Sequence, residues 1–244
     1  MIRSIAPIYS AAWRVAVALL SVEIAVVSLV RYFTPFDPPP PPIAANAYAS
    51  PFLVLHVIGG VAALLVGPLQ FAGNVRARWP SFHRATGWAF IAGCAVAAPT
   101  GLVLAMGTTA GPFVAAAFAI PAVLCALFTW FGWRAIFERR FADHAAWMLR
   151  SYAMIAAAIT LRLLIPAAAF LEFDFLAAYR VNAWLAWMIN WTLVEFALAR
   201  ARSRKEVDRS SQNVRRLGQT ADRRGMPGKS SLLPRSLGTR ESGT

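Results

Sequence analysis

The sequence predicts an all-α integral membrane protein, a helical bundle of about six transmembrane helices with both termini in the cytoplasm. Of the 244 residues, 58% are hydrophobic and only 14% are charged, whereas soluble domains carry about a quarter charged residues. Six apolar stretches are each long enough to cross a bilayer, which takes about 20 residues. The loops between them alternate in charge, and short basic loops stay in the cytoplasm.

The predicted spans lie near residues 13–31, 52–73, 85–106, 112–134, 146–170 and 181–199. Arg3 precedes the first span and Arg14 lies at its start, but its apolar stretch is too long for a signal-peptide core, so we expect it to stay as an anchor. The second span contains no charged residue. Small residues recur in the second to fifth spans, and they allow helix backbones to approach closely in lipid.

Charge in the loops predicts the orientation. Loops 74–84 and 135–145 are basic, whereas loops 32–51, 107–111 and 171–180 carry little charge or a negative one. The chain beyond residue 199 holds +8 of the formal charge of +13. This excess indicates attraction to anionic lipid headgroups rather than to nucleic acid. We therefore expect an inner-membrane protein with a cytoplasmic tail and the lipid bilayer as its partner.

Three regions are predicted along the chain. Residues 1–51 form an N-terminal anchor and a Pro-rich external loop, in which Pro38 to Pro42 predict a stiff polyproline II spacer. Residues 52–199 form a five-helix core. Residues 200–244 are rich in Arg, Ser, Gly and Pro and cannot bury enough apolar surface to fold, so they predict a disordered cytoplasmic tail.

Two histidines lie in matching contexts. His83 and His144 each follow a basic loop and lead into a span, and 61 residues separate them. This spacing indicates a weak repeat of helical hairpins, which would place both imidazoles at one depth. Such a pair can provide the axial ligands of haem b or, with Asp143, hold a metal ion. The alternative is that each histidine binds headgroups or caps a helix.

Other polar residues inside the spans are candidates because such groups are costly in lipid. His56 lies near the opposite face and favours an interhelical hydrogen bond over ligand binding. Arg150 and Glu195 lie at similar depths and predict a structural ion pair. The further candidates are Glu23, Gln70, Arg84 and Arg162.

Arg162 is expected either to pair with Glu172 or Asp174 or to meet an anionic substrate or a quinone carbonyl. Cys94 and Cys125 lie inside apolar runs, and their spacing forms no redox motif. We interpret both cysteines as small buried hydrophobic residues. No phosphate-binding glycine loop, HExxH motif or serine nucleophile elbow is present, so the sequence assigns no catalytic residue.

An ordered set of motifs resembles one bacterial family of predicted membrane proteins, domain of unknown function 2306. The motifs are His56-x-x-Gly59-Gly60, Gly67-Pro68-Leu69-Gln70-Phe71, Arg78-Trp79-Pro80, His83-Arg84-x-x-Gly87, His144-x-x-Trp147-Met148-Leu149-Arg150-Ser151-Tyr152 and Thr160-Leu161-Arg162. The resemblance covers about residues 52–165 and implies a membrane architecture. It marks as signature positions His56, Gln70, His83, Arg84, His144, Arg150 and Arg162. A looser similarity exists to dihaem cytochromes of the b561 type, whose two bis-histidine sites need four histidines where this chain has three.

Two classes of function follow from these residues. The first is membrane electron transfer, with haem b on His83 and His144 and a quinone-like partner at Gln70 or Arg162. The second is a small-molecule or proton-coupled transporter, in which Arg162, Glu23 and Glu195 line a polar path and His56 accepts protons. A non-catalytic subunit of a membrane complex is a further alternative. A metal-dependent hydrolase ranks last because His56 lies across a core about 30 Å thick from the other histidines.

Overall fold

The computed structural model describes residues 11–34 and 41–223, and within these ranges every regular element is a helix. The helices are α1 (Ala11–Phe33), α2 (Pro41–Ala44), α3 (Ala49–Gln70), α4 (Gly73–Arg78), α5 (Pro80–Met106), α6 (Pro112–Phe137), α7 (Phe141–Phe170) and α8 (Phe175–Arg223). The all-α prediction is therefore confirmed.

Five of these helices are long and apolar enough to cross a membrane. They are α1, α3, α5, α6 and α7, with a mean hydropathy of 2.0 to 2.3 over their most apolar windows. The sixth predicted span, residues 181–199, lies within α8. The polar residues Asn182, Asn190 and Glu195 lower its hydropathy, so its place in the membrane stays a prediction.

Helices α5 and α7 begin earlier than their predicted spans. Pro80 starts α5, because proline has a fixed φ and no N–H to satisfy at the first helical position. Phe141 starts α7 just after Arg139, whose φ of 56° ends the preceding turn. In consequence His83 and His144, which the sequence places just outside the spans, are each the fourth residue of a long helix.

Four helices form the central bundle. The most extensive packing joins α3 to α5 and α6 to α7, and contacts of α5 with α6 and of α3 with α7 close the ring. This is the arrangement of two antiparallel hairpins packed side by side. Helix α1 packs on α3 and α7, and α8 contributes Trp187, Val194 and Leu198 to the same apolar core.

The chain divides into two compact units, Met1–Ala199 and Arg200–Thr244. In the second unit the described residues, 200–223, are helical where the sequence predicts disorder. Arg, Lys, Glu and Gln are good helix formers, which accounts for the difference. Residues 224–244 of the predicted tail lie outside the described residues.

Part of the predicted polyproline II spacer is also helical in the structure. Pro41 and Pro42 begin the one-turn helix α2, a position that proline tolerates because its missing N–H has no partner there. The rest of the spacer, residues 38–40, lies outside the described residues.

Gly111 joins α5 to α6 through an unusual backbone conformation. Its φ of 98° and ψ of 170° lie in a region that is essentially restricted to glycine. We expect Gly111→Ala to lower the free energy of unfolding by about 1–3 kcal/mol, although nothing lies within 4 Å of the added β-carbon. Thermal unfolding in detergent measures this loss. Gly60→Ala, which also meets open space but lies in a helix, is the control, and equal stability of the two variants would contradict the prediction.

Candidate cofactor site

The structure brings His83 and His144 to one end of the bundle. Helices α5 and α7 run in the same direction within their hairpins, so their first turns share an end with α4 and its arginines. We call this end, which contains residues 70–84 and 134–144, the basic end. His144 and Arg76 are close enough to His83 to interact with it electrostatically, and Arg76 interacts in the same way with His144.

The two imidazoles differ in their hydrogen-bond partners. Nδ1 of His144 lies 2.8 Å from the carbonyl oxygen of Gly132 on α6. Because a carbonyl only accepts, Nδ1 carries the hydrogen, and the lone pair of the neutral ring is on Nε2. Nδ1 of His83 is buried and has no hydrogen-bond partner in the described chain. Both rings therefore keep bonding capacity that the described protein does not use.

Polar side chains near His83 form a small network. The Gln70 amide donates to Thr86 Oγ1 at 2.6 Å, and Thr86 Oγ1 donates to the Phe82 carbonyl at 2.7 Å. Gly87 lies opposite the Gln70 amide oxygen, since a β-carbon there would sit 3.4 Å from it. Arg84 points outward and donates to Ser81 Oγ at 3.3 Å. Gln70 therefore belongs to the histidine end, whereas Arg84 lies on its surface.

An open surface groove of about 550 Å³ lies at the start of α5. Its lining residues are Arg78, Trp79, Pro80, Ser81 and Phe82. Two large aromatic faces beside an arginine suit a flat apolar molecule with an anionic edge.

Asp143 does not join the histidines. Its carboxylate accepts a hydrogen bond of 2.6 Å from Arg140 Nη1 and is about half exposed. Arg140 also pairs with Glu138, and Arg140 and Arg134 together hold the pKa of the Glu138 carboxyl below its ordinary value. Within the described residues no three His, Cys, Asp or Glu side chains cluster as a metal site. The expectation of a metal ion held with Asp143 therefore finds no support in the geometry.

His56 lies at the opposite end of the bundle, as predicted. Its Nδ1 is 2.8 Å from the carbonyl oxygen of Ala97 on α5, and its ring packs on Gly101, where a β-carbon would come within 2.9 Å. The interhelical hydrogen bond expected for His56 is therefore present.

Residues 53–198, more than half of the chain, match the family of predicted membrane proteins called domain of unknown function 2306 (DUF2306). The chain belongs to this family. No curated protein and no solved structure matches it. The DUF2306 region runs from α3 into α8 and leaves α1 outside. It contains the polar candidates His56, Gln70, His83, Arg84, His144, Arg150, Arg162 and Glu195. The family and the five apolar helices together show a multi-pass membrane protein.

Arg150 and Glu195 of the DUF2306 region form the ion pair that their depths predict. Arg150 Nε and Nη2 donate to the two carboxylate oxygens of Glu195 at 2.5 and 2.8 Å. The guanidinium also lies 4.7 Å from the centre of the Trp147 ring. This pair joins α7 to α8 and accounts for both residues as structural elements.

Arg162 does not pair with Glu172 or Asp174. It donates to Ser28 Oγ on α1 at 2.9 Å and to the Ala158 carbonyl of its own helix at 3.2 Å. The Asp174 carboxylate instead accepts a hydrogen bond of 2.8 Å from the Ala177 amide in the first turn of α8. Arg162 therefore links α7 to α1. Of the three residues predicted to line a transport path, Glu23 is exposed on α1, Arg162 is bonded to Ser28 and Glu195 is bonded to Arg150.

One polar cluster is not predictable from the spacing of its residues. Cys94, Cys125 and Ser151 meet in the centre of the bundle, with each sulfur within 3.9 Å of the Ser151 hydroxyl. Both cysteines are buried, as predicted. Sequence reasoning missed their proximity because 31 residues separate them on different helices, and no spacing rule covers that arrangement.

Proposed function

We propose that this DUF2306 protein is a haem-binding electron-transfer protein of the bacterial inner membrane. His83 and His144 would hold one haem b, and a quinone-like molecule would be the electron partner. The observation that carries the proposal is the pair of imidazoles at equivalent positions of α5 and α7, both at the basic end. By the positive-inside rule, the basic loops of this end favour a cytoplasmic location, and the basic tail favours the same compartment.

The number of side chains available as ligands favours haem over a free metal ion. A structural zinc site needs four protein ligands and a catalytic one three, but the described chain offers only two imidazoles here. A porphyrin supplies four nitrogens of its own, so two imidazoles complete the coordination of its iron. When bound, such a haem would carry one electron by cycling between its ferric and ferrous states.

The hydrogen bonding of each imidazole suits a ligand of haem iron. The Gly132 carbonyl fixes the hydrogen of His144 on Nδ1, which aims a lone pair from Nε2 and is how metal-bound histidines are commonly oriented. Nδ1 of His83 is buried and has no partner among the described residues, which costs about 1–3 kcal/mol, and coordination of the iron by this nitrogen would remove that cost.

Charge and shape at the basic end support the same ligand. The carboxylates of a haem edge would find Arg76 and Arg78 nearby, and the aromatic groove before His83 offers a flat apolar surface. Gln70 shares this end and keeps one amide hydrogen for a quinone carbonyl, whereas Arg162 lies at the other end and is bonded to Ser28.

The test is the dithionite-reduced minus air-oxidised absorption spectrum of the full chain, purified in detergent after expression with ample haem supply. We expect one reducible haem per chain, which His83→Ala or His144→Ala abolishes. His56→Ala is the matched control, because it removes an imidazole that bonds a backbone carbonyl as His144 does but lies at the opposite end of the bundle, and it should keep the spectrum.

Two results would overturn the proposal. A flat spectrum from folded wild-type protein with no bound metal would remove the haem and leave a structural or transport role. Equal loss of haem in all three histidine variants would indicate that these substitutions disturb the fold rather than a ligand, and circular dichroism of each variant reports that directly.

A further inference from the structure

The two cysteines of the chain meet at a single hydroxyl group. Sγ of Cys94 on α5 is 3.8 Å from Ser151 Oγ, and Sγ of Cys125 on α6 is 3.9 Å from the same atom. The two cysteines are only 1% and 3% exposed. Two cysteines on separate hairpins have no need to converge if each is only a small apolar side chain.

Only one assignment of donors and acceptors is consistent with all the hydrogen bonds around Ser151. Thr129 Oγ1 donates its only hydrogen to the Cys125 carbonyl at 2.7 Å. At the 2.6 Å contact between Thr129 and Ser151 the hydrogen must therefore come from Ser151. Ser151 then has no hydrogen left, and both thiols donate to its two lone pairs. The resting site is a dithiol that shares one acceptor.

The depth of this dithiol limits its reaction partners. Cys94 follows Pro80 by 14 residues and precedes Met106 by 12, and Cys125 is equally central in α6. Both thiols thus lie near the middle of a hydrocarbon core about 30 Å thick. Glutathione and other charged thiol reagents stay in water, so a redox partner at this depth must itself be soluble in lipid.

We propose that Cys94 and Cys125 are a redox-active dithiol that a membrane quinone oxidises to an intramolecular disulfide. Two S–H bonds break and one S–S bond forms, while two electrons and two protons convert the quinone into hydroquinone. Reactants and products are all neutral, so no charge is left in the low-dielectric interior.

The product also fits the site. Loss of both thiol hydrogens leaves no buried donor without an acceptor, and the chain from Ser151 through Thr129 to the Cys125 carbonyl stays intact. The disulfide would join α5 to α6, the pair of helices that makes the larger contact between the two hairpins. This inference does not depend on haem at His83 and His144.

The experiment treats the full chain in lipid nanodiscs with a short-chain quinone or with oxidised glutathione. Free thiols are counted by alkylation after denaturation, and hydroquinone is followed by absorbance. We expect the quinone to remove both thiols together, with one hydroquinone formed per chain and a 94–125 cross-linked peptide found by mass spectrometry. Oxidised glutathione should leave both thiols free.

Variants show whether the two thiols react as a pair. Cys94→Ala and Cys125→Ala should each keep one free thiol and form no hydroquinone. The double variant His83→Ala/His144→Ala should still form the disulfide, which distinguishes the dithiol from the proposed haem. Survival of both thiols under excess quinone, or cross-links between chains, would overturn the proposal. If oxidised glutathione removed the thiols as fast as the quinone does, the claim that the oxidant must be soluble in lipid would be wrong.

Discussion

Replacing Glu195 with alanine is expected to lower the free energy of unfolding by about 3–5 kcal/mol, because it leaves Arg150 without its counter-charge inside the bundle. The Arg150 side chain is only 12% exposed, and both of its bonded nitrogens face the Glu195 carboxylate. Trp147 covers one face of the guanidinium, so water cannot replace the lost carboxylate easily.

Replacing Arg150 and replacing Glu195 should not lower the free energy of unfolding equally. Glu195 Oε1 also accepts a hydrogen bond of 3.1 Å from the Trp191 indole N–H, so Arg150→Met leaves the surviving carboxylate with a donor. Glu195→Ala removes the carboxylate that accepts from both bonded nitrogens of Arg150. We therefore expect Glu195→Ala to be the less stable of the two. The double variant Arg150→Met/Glu195→Leu should recover most of the loss, because no unpaired charge remains.

Thermal unfolding of the detergent-solubilised variants measures these differences. Glu138→Ala is a suitable control, since it removes a carboxylate with two arginine partners that lies outside the spans and in contact with solvent. Its effect should be much smaller than that of Glu195→Ala. A double variant as unstable as Glu195→Ala would indicate that packing of α8, and not an unpaired charge, explains the loss.

The helices of this protein could be predicted from the sequence because the bilayer dictates their length and composition. Five of the six predicted spans are helices of the expected kind, and the resemblance to DUF2306 is confirmed over residues 53–198. The Arg150–Glu195 pair was also predictable, since two opposite charges at one depth in a bundle have few other partners.

Contacts that depend on which face a helix presents could not be predicted. Arg162 bonds to Ser28, which lies 134 residues away on α1, and only the packing of α1 on α7 brings the two together. From depth alone, the sequence predicts Glu172 or Asp174 as the partner of Arg162. The meeting of Cys94 with Cys125 has the same origin, because sequence spacing describes depth within a span and not rotation about its axis.

Gly59→Ala is the second substitution with a large expected effect. A β-carbon at Gly59 would lie 2.8 Å from both the Ala97 nitrogen and the Gly93 oxygen. We expect a loss of about 1–3 kcal/mol in the free energy of unfolding, towards the upper end because backbone atoms cannot move aside as a side chain can. Thermal unfolding in detergent, as for Glu195, measures it.

Gly60→Ala is the matched control on the next position of the same helix. Nothing lies within 4 Å of the added β-carbon, and alanine is the better helix former by about 1 kcal/mol. The control should therefore be neutral or stabilising. If the two alanines behaved alike, the close approach of α3 and α5 at this point would be contradicted.

The contact at Gly59 is reciprocal, and this gives the prediction a further test. A β-carbon at Gly93 would lie 2.7 Å from the Gly59 oxygen, so each alanine forces the same two backbones apart. Once one alanine has separated them, the second adds little, and the loss in Gly59→Ala/Gly93→Ala should be smaller than the sum of the single losses. The His56 to Ala97 hydrogen bond, which spans the same pair of helices, should weaken in all three variants.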